Sequence, residues 1–147
     1  MVISQARGEK NSDALPQWLP VVAGALIDRE GRWLMHQRPL GKMYAGLWEF
    51  PGGKVEPSEK PVDSLVRELA EELGITVRPS ACRAALLAQQ EPRAGVCQIV
   101  LMLYIISDWA GTPQALEGGQ VAWFTPAEAL MREMPPMDRD LALRLRR

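Results

Sequence analysis

The sequence predicts an α/β chain in which helices pack on a mixed β-sheet, and three observations carry that prediction. Patterned segments follow one another as strands, helix, strands and helices. Val62, Leu65, Val66, Leu69 and Leu73 recur at i, i+3, i+4, i+7 and i+11, which is one apolar helical stripe. Ile99 to Ile106 is an unbroken apolar run with the length of a buried strand. At 147 residues the chain is expected to form one domain, burying about two-thirds of its unfolded surface.

Residues 1–17 carry no periodicity and read as a loose leader before a single domain over 18–147. Leu19–Asp28 is β-like. Asp28–Gly31 is a turn, and Arg32–Gln37 is expected to return as a hairpin partner. Pro39–Gly46 is a loop holding two glycines, and Leu47–Phe50 is a short strand running into Pro51-Gly52-Gly53. The helix is expected over Pro61–Leu73, with proline in its first turn and Gly74 at a left-handed C′ position. Ile75–Val77 and Ala81–Gln89 read as one strand interrupted by Arg78-Pro79-Ser80. A turn over Gln90–Gly95 leads to the strand Val96–Ser107. After an irregular loop, Asp108–Gly119, comes a last strand, Gln120–Phe124, with Trp123 and Phe124 as core anchors. Thr125 caps a short helix to Arg132 with Pro126 at N1; Pro135-Pro136 breaks the chain before a terminal helix starting at Met137 or Asp138.

Composition excludes several classes. Hydrophobic residues make up 47% and charged residues 24%, as in an ordinary globular protein. The net charge of −1 supplies no basic field for a nucleic-acid polymer or an anionic membrane. No apolar run approaches the roughly 18 residues that span a bilayer, and the N-terminus lacks a secretory pattern, so the cytoplasm is the expected compartment. Cys82 and Cys97 have no metal-finger spacing and read as buried thiols packing in neighbouring segments. A monomer and a homodimer are both compatible with this surface.

The predicted helix breaks a local rule. Glu68, Glu71 and Glu72 share a face spanning about 100° of arc, and like charges at i, i+3 and i+4 cost about 0.2–0.5 kcal/mol per pair. Such a violation points to function; a hard divalent cation bound through oxygen would relieve it. The spacing Gly53-x5-Glu59-x7-Arg67-Glu68-Leu69-x-Glu71-Glu72-x-Gly74-Ile75 resembles the box of the Nudix hydrolase superfamily at every defined position. The lead-in Trp48-Glu49-Phe50-Pro51-Gly52-Gly53-Lys54 is similar to its MutT-like branch, and most of the chain follows that element order. Ser58 and Lys60 depart from the pattern, standing where glycine and a capping hydroxyl are frequent.

The resemblance implies an α/β/α sandwich with the box as loop–helix–loop, and a Mg²⁺ site in which Mn²⁺ substitutes. It implies metal ligation by the Gly52 carbonyl and by Glu68, Glu71 and Glu72, with Glu68 the favoured general base. Arg67 is expected to orient the glutamates and Glu59 to pair with Arg67. Glu117 matches an extra catalytic or metal-associated loop glutamate; read alone, it is an exposed carboxylate. Arg38, Glu49, Phe50 and Gly52 match positions lining the nucleotide, although Arg38 alone reads equally as an edge charge. Trp33 and Trp48 suit either base stacking or the core, the second being the commoner fate. Asp138 matches the position that reads the base edge, or else caps the last helix. A carboxylate accepts hydrogen bonds and donates none unless protonated, which leaves guanine, 8-oxoguanine and cytosine open. His36, the single histidine, reads as structural.

The expected activity is metal-dependent hydrolysis of a nucleoside triphosphate to monophosphate and pyrophosphate by attack at the β-phosphorus. Oxidised purines such as 8-oxo-dGTP are the first substrate reading, giving nucleotide-pool sanitation and a role in DNA repair; CTP or modified dCTP is the rival. A non-catalytic lesion-recognition module is the third reading, disfavoured by the intact glutamates.

Overall fold

A computed structural model describes residues 17–91 and 97–147. Apart from Gln17, the expected leader lies outside the described residues, as do most of the turn at 90–95 and the start of the strand expected from Val96.

The strands are β1 (Trp18–Leu26), β2 (Trp33–Gln37), β3 (Trp48–Glu49), β4 (Gly52–Lys54), β5 (Cys82–Gln89), β6 (Gln98–Ile106) and β7 (Gln120–Phe124), and the helices are α1 (Pro61–Leu73), α2 (Pro126–Leu130) and α3 (Pro136–Leu145). One sheet has the order β4-β1-β6-β5 and the other β3-β2-β7. The first is mixed, since β1 runs parallel to β6 while β4 and β5 pair antiparallel. Successive residues of β1 serve opposite faces. Ala23 and Ala25 join Leu101, Leu103 and the α3 residues Leu141 and Ala142 in one core, whereas Val22 and Leu26 meet the α1 leucines and Ile106 in another. Helices therefore cover both faces, and the architecture is the α/β/α sandwich.

Helix α1 has the expected bounds. Proline opens it, Lys60 is an N-cap whose side chain makes no capping bond, and Gly74 closes it at φ 71°. That left-handed value suits glycine. Its stripe is its anchor: Leu65, Leu69 and Leu73 are wholly buried, each worth about 1.5–3 kcal/mol relative to exposure. The capping at Thr125 is also as expected, with Glu128 completing a reciprocal capping box.

Several expectations need correction. The β1–β2 hairpin opens after a single bridge, Ile27 with Trp33, and the two strands part into different sheets. Gly52–Lys54, whose paired glycines and following polar residues read as a turn and loop, forms β4 by pairing with Val21–Ala23. Ile75–Val77 is not a strand, because Thr76 makes one bridge to Ala110 while Ile75 and Val77 plug the core; Pro79–Ala81 is a 3₁₀ turn. Pro135 and Pro136 do not precede α3 but start it, as N-cap and first residue. The thiols do not pack together: Cys82 pairs with Ile106, while exposed Cys97 precedes the opposite end of that strand.

Candidate active site

The site forms where the turn before β4 meets α1. Gly24 donates its amide to the Pro51 carbonyl at 2.8 Å, which draws this turn onto β1. A Cβ at Gly52 would overlap the Val22 carbonyl, and one at Gly53 would overlap the Glu68 carboxylate. The two glycines therefore serve different neighbours. Gly52 lets two backbones approach, and Gly53 leaves room for an acidic side chain.

Two box glutamates, Glu68 and Glu72, meet this turn, and two more, Glu59 and Glu71, are joined to it through Arg67. The Gly52 amide donates to Glu72 Oε1 at 3.2 Å. Arg67 grips Glu59 through two bonds, Nε to Oε2 at 2.9 Å and Nη2 to Oε1 at 3.0 Å. Arg67 Nη1 also lies 3.3 Å from both Glu68 and Glu71. The Ser64 hydroxyl donates to Glu59 Oε1 at 2.6 Å. Arg67 and this hydroxyl together hold the Glu59 carboxyl down at about 2. Arg67 thus offsets the like-charge repulsion along α1, which is how the helix tolerates its acidic face.

Two glutamates are shifted the other way. Burial raises Glu68 above the usual carboxylate range, opposed by Arg67 and reinforced by Glu71 and Glu117. Burial pushes Glu72 up to about 8, helped by the charges of Glu49, Glu68 and Glu117 and resisted by the Gly52 amide. A carboxyl under that pressure gains from a nearby cation. Among the described residues no three acidic, histidine or cysteine side chains converge as a finished cage. Mg²⁺ suits such an open arrangement, because it keeps waters and takes few carboxylates beside substrate phosphates. The donor chemistry, carboxylates clustered at the end of one helix beside a backbone turn, fits a hard divalent cation.

The residues expected to line the nucleotide are brought together as a second group. Arg38 Nη1 pairs with Glu49 Oε1 at 2.9 Å, and its Nε donates to the Met43 carbonyl at 2.8 Å, so it is not a free edge charge. Asp138 is buried in the first turn of α3 and does not cap it. Its Oδ2 accepts the Phe50 amide at 3.0 Å instead. Burial, then the charge of Glu49, pushes the Asp138 carboxyl up to about 7. Beside it a cleft of about 400 Å³ is lined by Tyr44, Gln98, Ile99, Pro135, Met137 and Asp140. The sequence reading missed Tyr44, whose signal was an aromatic ring in a loop between two glycines. The two candidate tryptophans pack in the core: Trp33 is buried against Phe50, and half-buried Trp48 lies edge-on to Phe124 at 5.0 Å.

Glu117 lies on the loop between β6 and β7. The Leu116 amide donates to the Glu72 carbonyl at 3.0 Å, so the loop is fastened to the last turn of α1. The charge of Glu117 contributes to the rise of both Glu68 and Glu72. His36 Nε2 lies 3.0 Å from the Gly118 carbonyl, a link that sequence patterning did not suggest.

The chain is similar to several known proteins. A relative from Escherichia coli (strain K12), described as a CTP pyrophosphohydrolase, is 42% identical over 117 residues, covering 80% of this chain and 84% of that protein. An 8-oxo-dGTP diphosphatase of Haemophilus influenzae is 32% identical over 127 residues, covering 86% and 90% respectively. The solution structure of the E. coli ORF135 protein superposes with a TM-score of 0.75 at 39% identity, over 87% of this chain and 88% of that one. The NUDIX domain matches residues 18–145, nearly the whole described chain, and the protein therefore belongs to the Nudix family.

Proposed function

We propose that this chain is a Mg²⁺-dependent nucleoside triphosphate pyrophosphohydrolase that releases a monophosphate and pyrophosphate, with Mn²⁺ able to replace Mg²⁺. The observation that carries the proposal is the placement of Glu72 and Glu68 against Gly52 and Gly53, where burial leaves carboxylates short of positive charge. Gly52, Glu68, Glu71 and Glu72 would hold the ion. When bound, it would supply Lewis-acid stabilisation of phosphate charge and a lowered pKa for its water.

The chain's own residues then divide the work. Glu68 takes the proton of the attacking water. Arg67 fixes the glutamates through its bonds to Glu59, Glu68 and Glu71. Glu117 adds its charge to the same cluster and serves as an extra catalytic or metal-associated carboxylate. Arg38, Glu49, Phe50, Gly52 and Asp138 receive the nucleoside, a reading supported by the Arg38–Glu49 and Phe50–Asp138 links that hold them in two pairs, with the β-phosphorus as the point of attack.

For the base, the first reading is an oxidised purine such as 8-oxo-dGTP, giving nucleotide-pool sanitation in the cytoplasm. It is supported by the relatives named 8-oxo-dGTP diphosphatase and by a buried Asp138 able to carry a proton near neutral pH. The second reading is CTP or a modified dCTP, favoured because the relative named for CTP shares more identity with this chain. The deciding experiment is hydrolysis with Mg²⁺ across a nucleotide panel, with ¹⁸O-water locating the attacked phosphorus. If nucleotide sugars or dinucleoside polyphosphates are cleaved faster than 8-oxo-dGTP, CTP and the other triphosphates, the substrate class is wrong.

A further inference from the structure

We infer that His36 is a positioning residue that holds Glu117 in register with the α1 glutamates. His36 is 4% exposed on β2, and its partner in the β2–β3 register is Glu49, so both side chains stand on one face of that sheet. The Gly118 carbonyl can only accept, so the ring nitrogen 3.0 Å away, Nε2, is the one that donates. The other ring nitrogen is buried and has no hydrogen-bond partner. The histidine therefore directs its single N–H into the loop.

That bond is one of two clamps, and Glu117 lies between them. On the helix side, Gln114 and Leu116 donate to the Leu73 and Glu72 carbonyls, each at 3.0 Å. On the sheet side, beside the His36 bond, Gly119 passes so close to Gln37 that a Cβ would overlap the Gln37 carbonyl. Gly118 and Gly119 take φ values of 98° and 74°, which let the chain reverse there. A carboxylate between two such anchors has little freedom to drift from Glu68 and Glu72. Gly118 is exposed, so water can replace the histidine bond. Removing that bond is therefore expected to affect position more than stability.

This inference rests on the catalytic placement of Glu117 proposed above, and steady-state kinetics with Mg²⁺ on 8-oxo-dGTP and CTP separate the two. Wild type, His36→Phe, His36→Gln, Glu117→Gln and the His36→Phe/Glu117→Gln double variant are compared. His36→Phe is expected to lower kcat by about tenfold or more, the scale of a small misplacement, with KM within about twofold. His36→Gln restores most of kcat because its amide N–H can reach the same carbonyl. In the Glu117→Gln background, His36→Phe has no further effect, whereas a merely structural histidine would lower both backgrounds equally. If His36→Phe folds poorly by thermal melting, His36→Asn, a polar side chain too short to place an N–H where Nε2 stands, is expected to give the same non-additive loss. Equal losses in both backgrounds, or failure of His36→Gln to rescue, overturn the inference. Full activity of Glu117→Gln removes the role of Glu117 and this inference with it, while leaving the hydrolase reading intact. Absence of hydrolysis by the wild type overturns both.

Discussion

The Glu72 carboxylate accepts the Gly52 amide at 3.2 Å, tying the last turn of α1 back to β4, the strand that precedes the helix. This bond lowers the affinity of Glu72 for its proton, yet burial and Glu49 outweigh it and leave the carboxyl at about 8. A folded-state value above the ordinary 4.5 means that the folded protein holds the proton more tightly than the unfolded chain. Stability from this group is then complete below about 4.5 and lost as pH rises through about 8. Asp138, raised to about 7, has the same sign. Glu59 has the opposite sign, but its window lies between its ordinary value of 4.5 and about 2. In EDTA, the melting temperature is expected to fall between about pH 5.5 and pH 8.5, and Mg²⁺ to reduce the fall. A flat profile in EDTA would contradict this account.

Glu68→Gln and Glu72→Gln are each expected to lower kcat by about 10²–10⁴-fold. Both side chains lie off the buried stripe of Leu65, Leu69 and Leu73, so the fold should persist. At about pH 8, Glu72→Gln should melt no lower than wild type in EDTA, because it removes a charge that burial disfavours. Circular dichroism melts beside the kinetics check both halves.

The paired glycines should separate stability from turnover. Gly52→Ala drives a methyl into the Val22 backbone and is expected to cost about 1–3 kcal/mol or prevent folding. Gly53→Ala meets the Glu68 carboxylate, a movable group, and is expected to fold while losing at least about tenfold in kcat. Urea titration of both variants gives the comparison. Equal destabilisation by the two would show that the Gly53 gap is structural.

Asp138→Asn keeps an acceptor for the Phe50 amide and adds a permanent N–H donor. Wild-type kcat/KM is expected to change as Asp138 loses its proton through about pH 7, and the variant to lose that dependence. An ionised carboxylate repels the 6-oxygen of 8-oxoguanine, while an amide can donate to it. The kcat/KM ratio of 8-oxo-dGTP to CTP should therefore rise by about tenfold. An unchanged ratio would place the base elsewhere.

Helix α1 was legible to its ends because Pro61, Gly74 and the leucine period act locally. The acidic face was legible for the same reason: one helix brings Glu68, Glu71 and Glu72 together. Strand β4 was not, since Gly52 and Gly53 have no strand preference and pair only because β1 needs a close neighbour. The parting of β1 from β2 was also hidden, as both segments have the pattern of one hairpin. Asp138 could not be told from a helix cap without the Phe50 amide, which lies 88 residues away. Arg38 and Glu49 were legible as nucleotide-lining positions, but not as an ion pair, which forms only because β2 and β3 run side by side.

The division of the strands into two sheets has an evolutionary consequence. Arg38 and Glu49 belong to β2, β3 and their loop, while Glu68, Glu71 and Glu72 belong to the helix on the other sheet. Substitutions in the two groups should combine additively, so preference for a base can diversify while the hydrolytic helix stays unchanged. Glu49 is the expected exception, because its charge bears on Glu72 and Asp138 alike. Changes at that position should be tolerated only alongside changes in both groups.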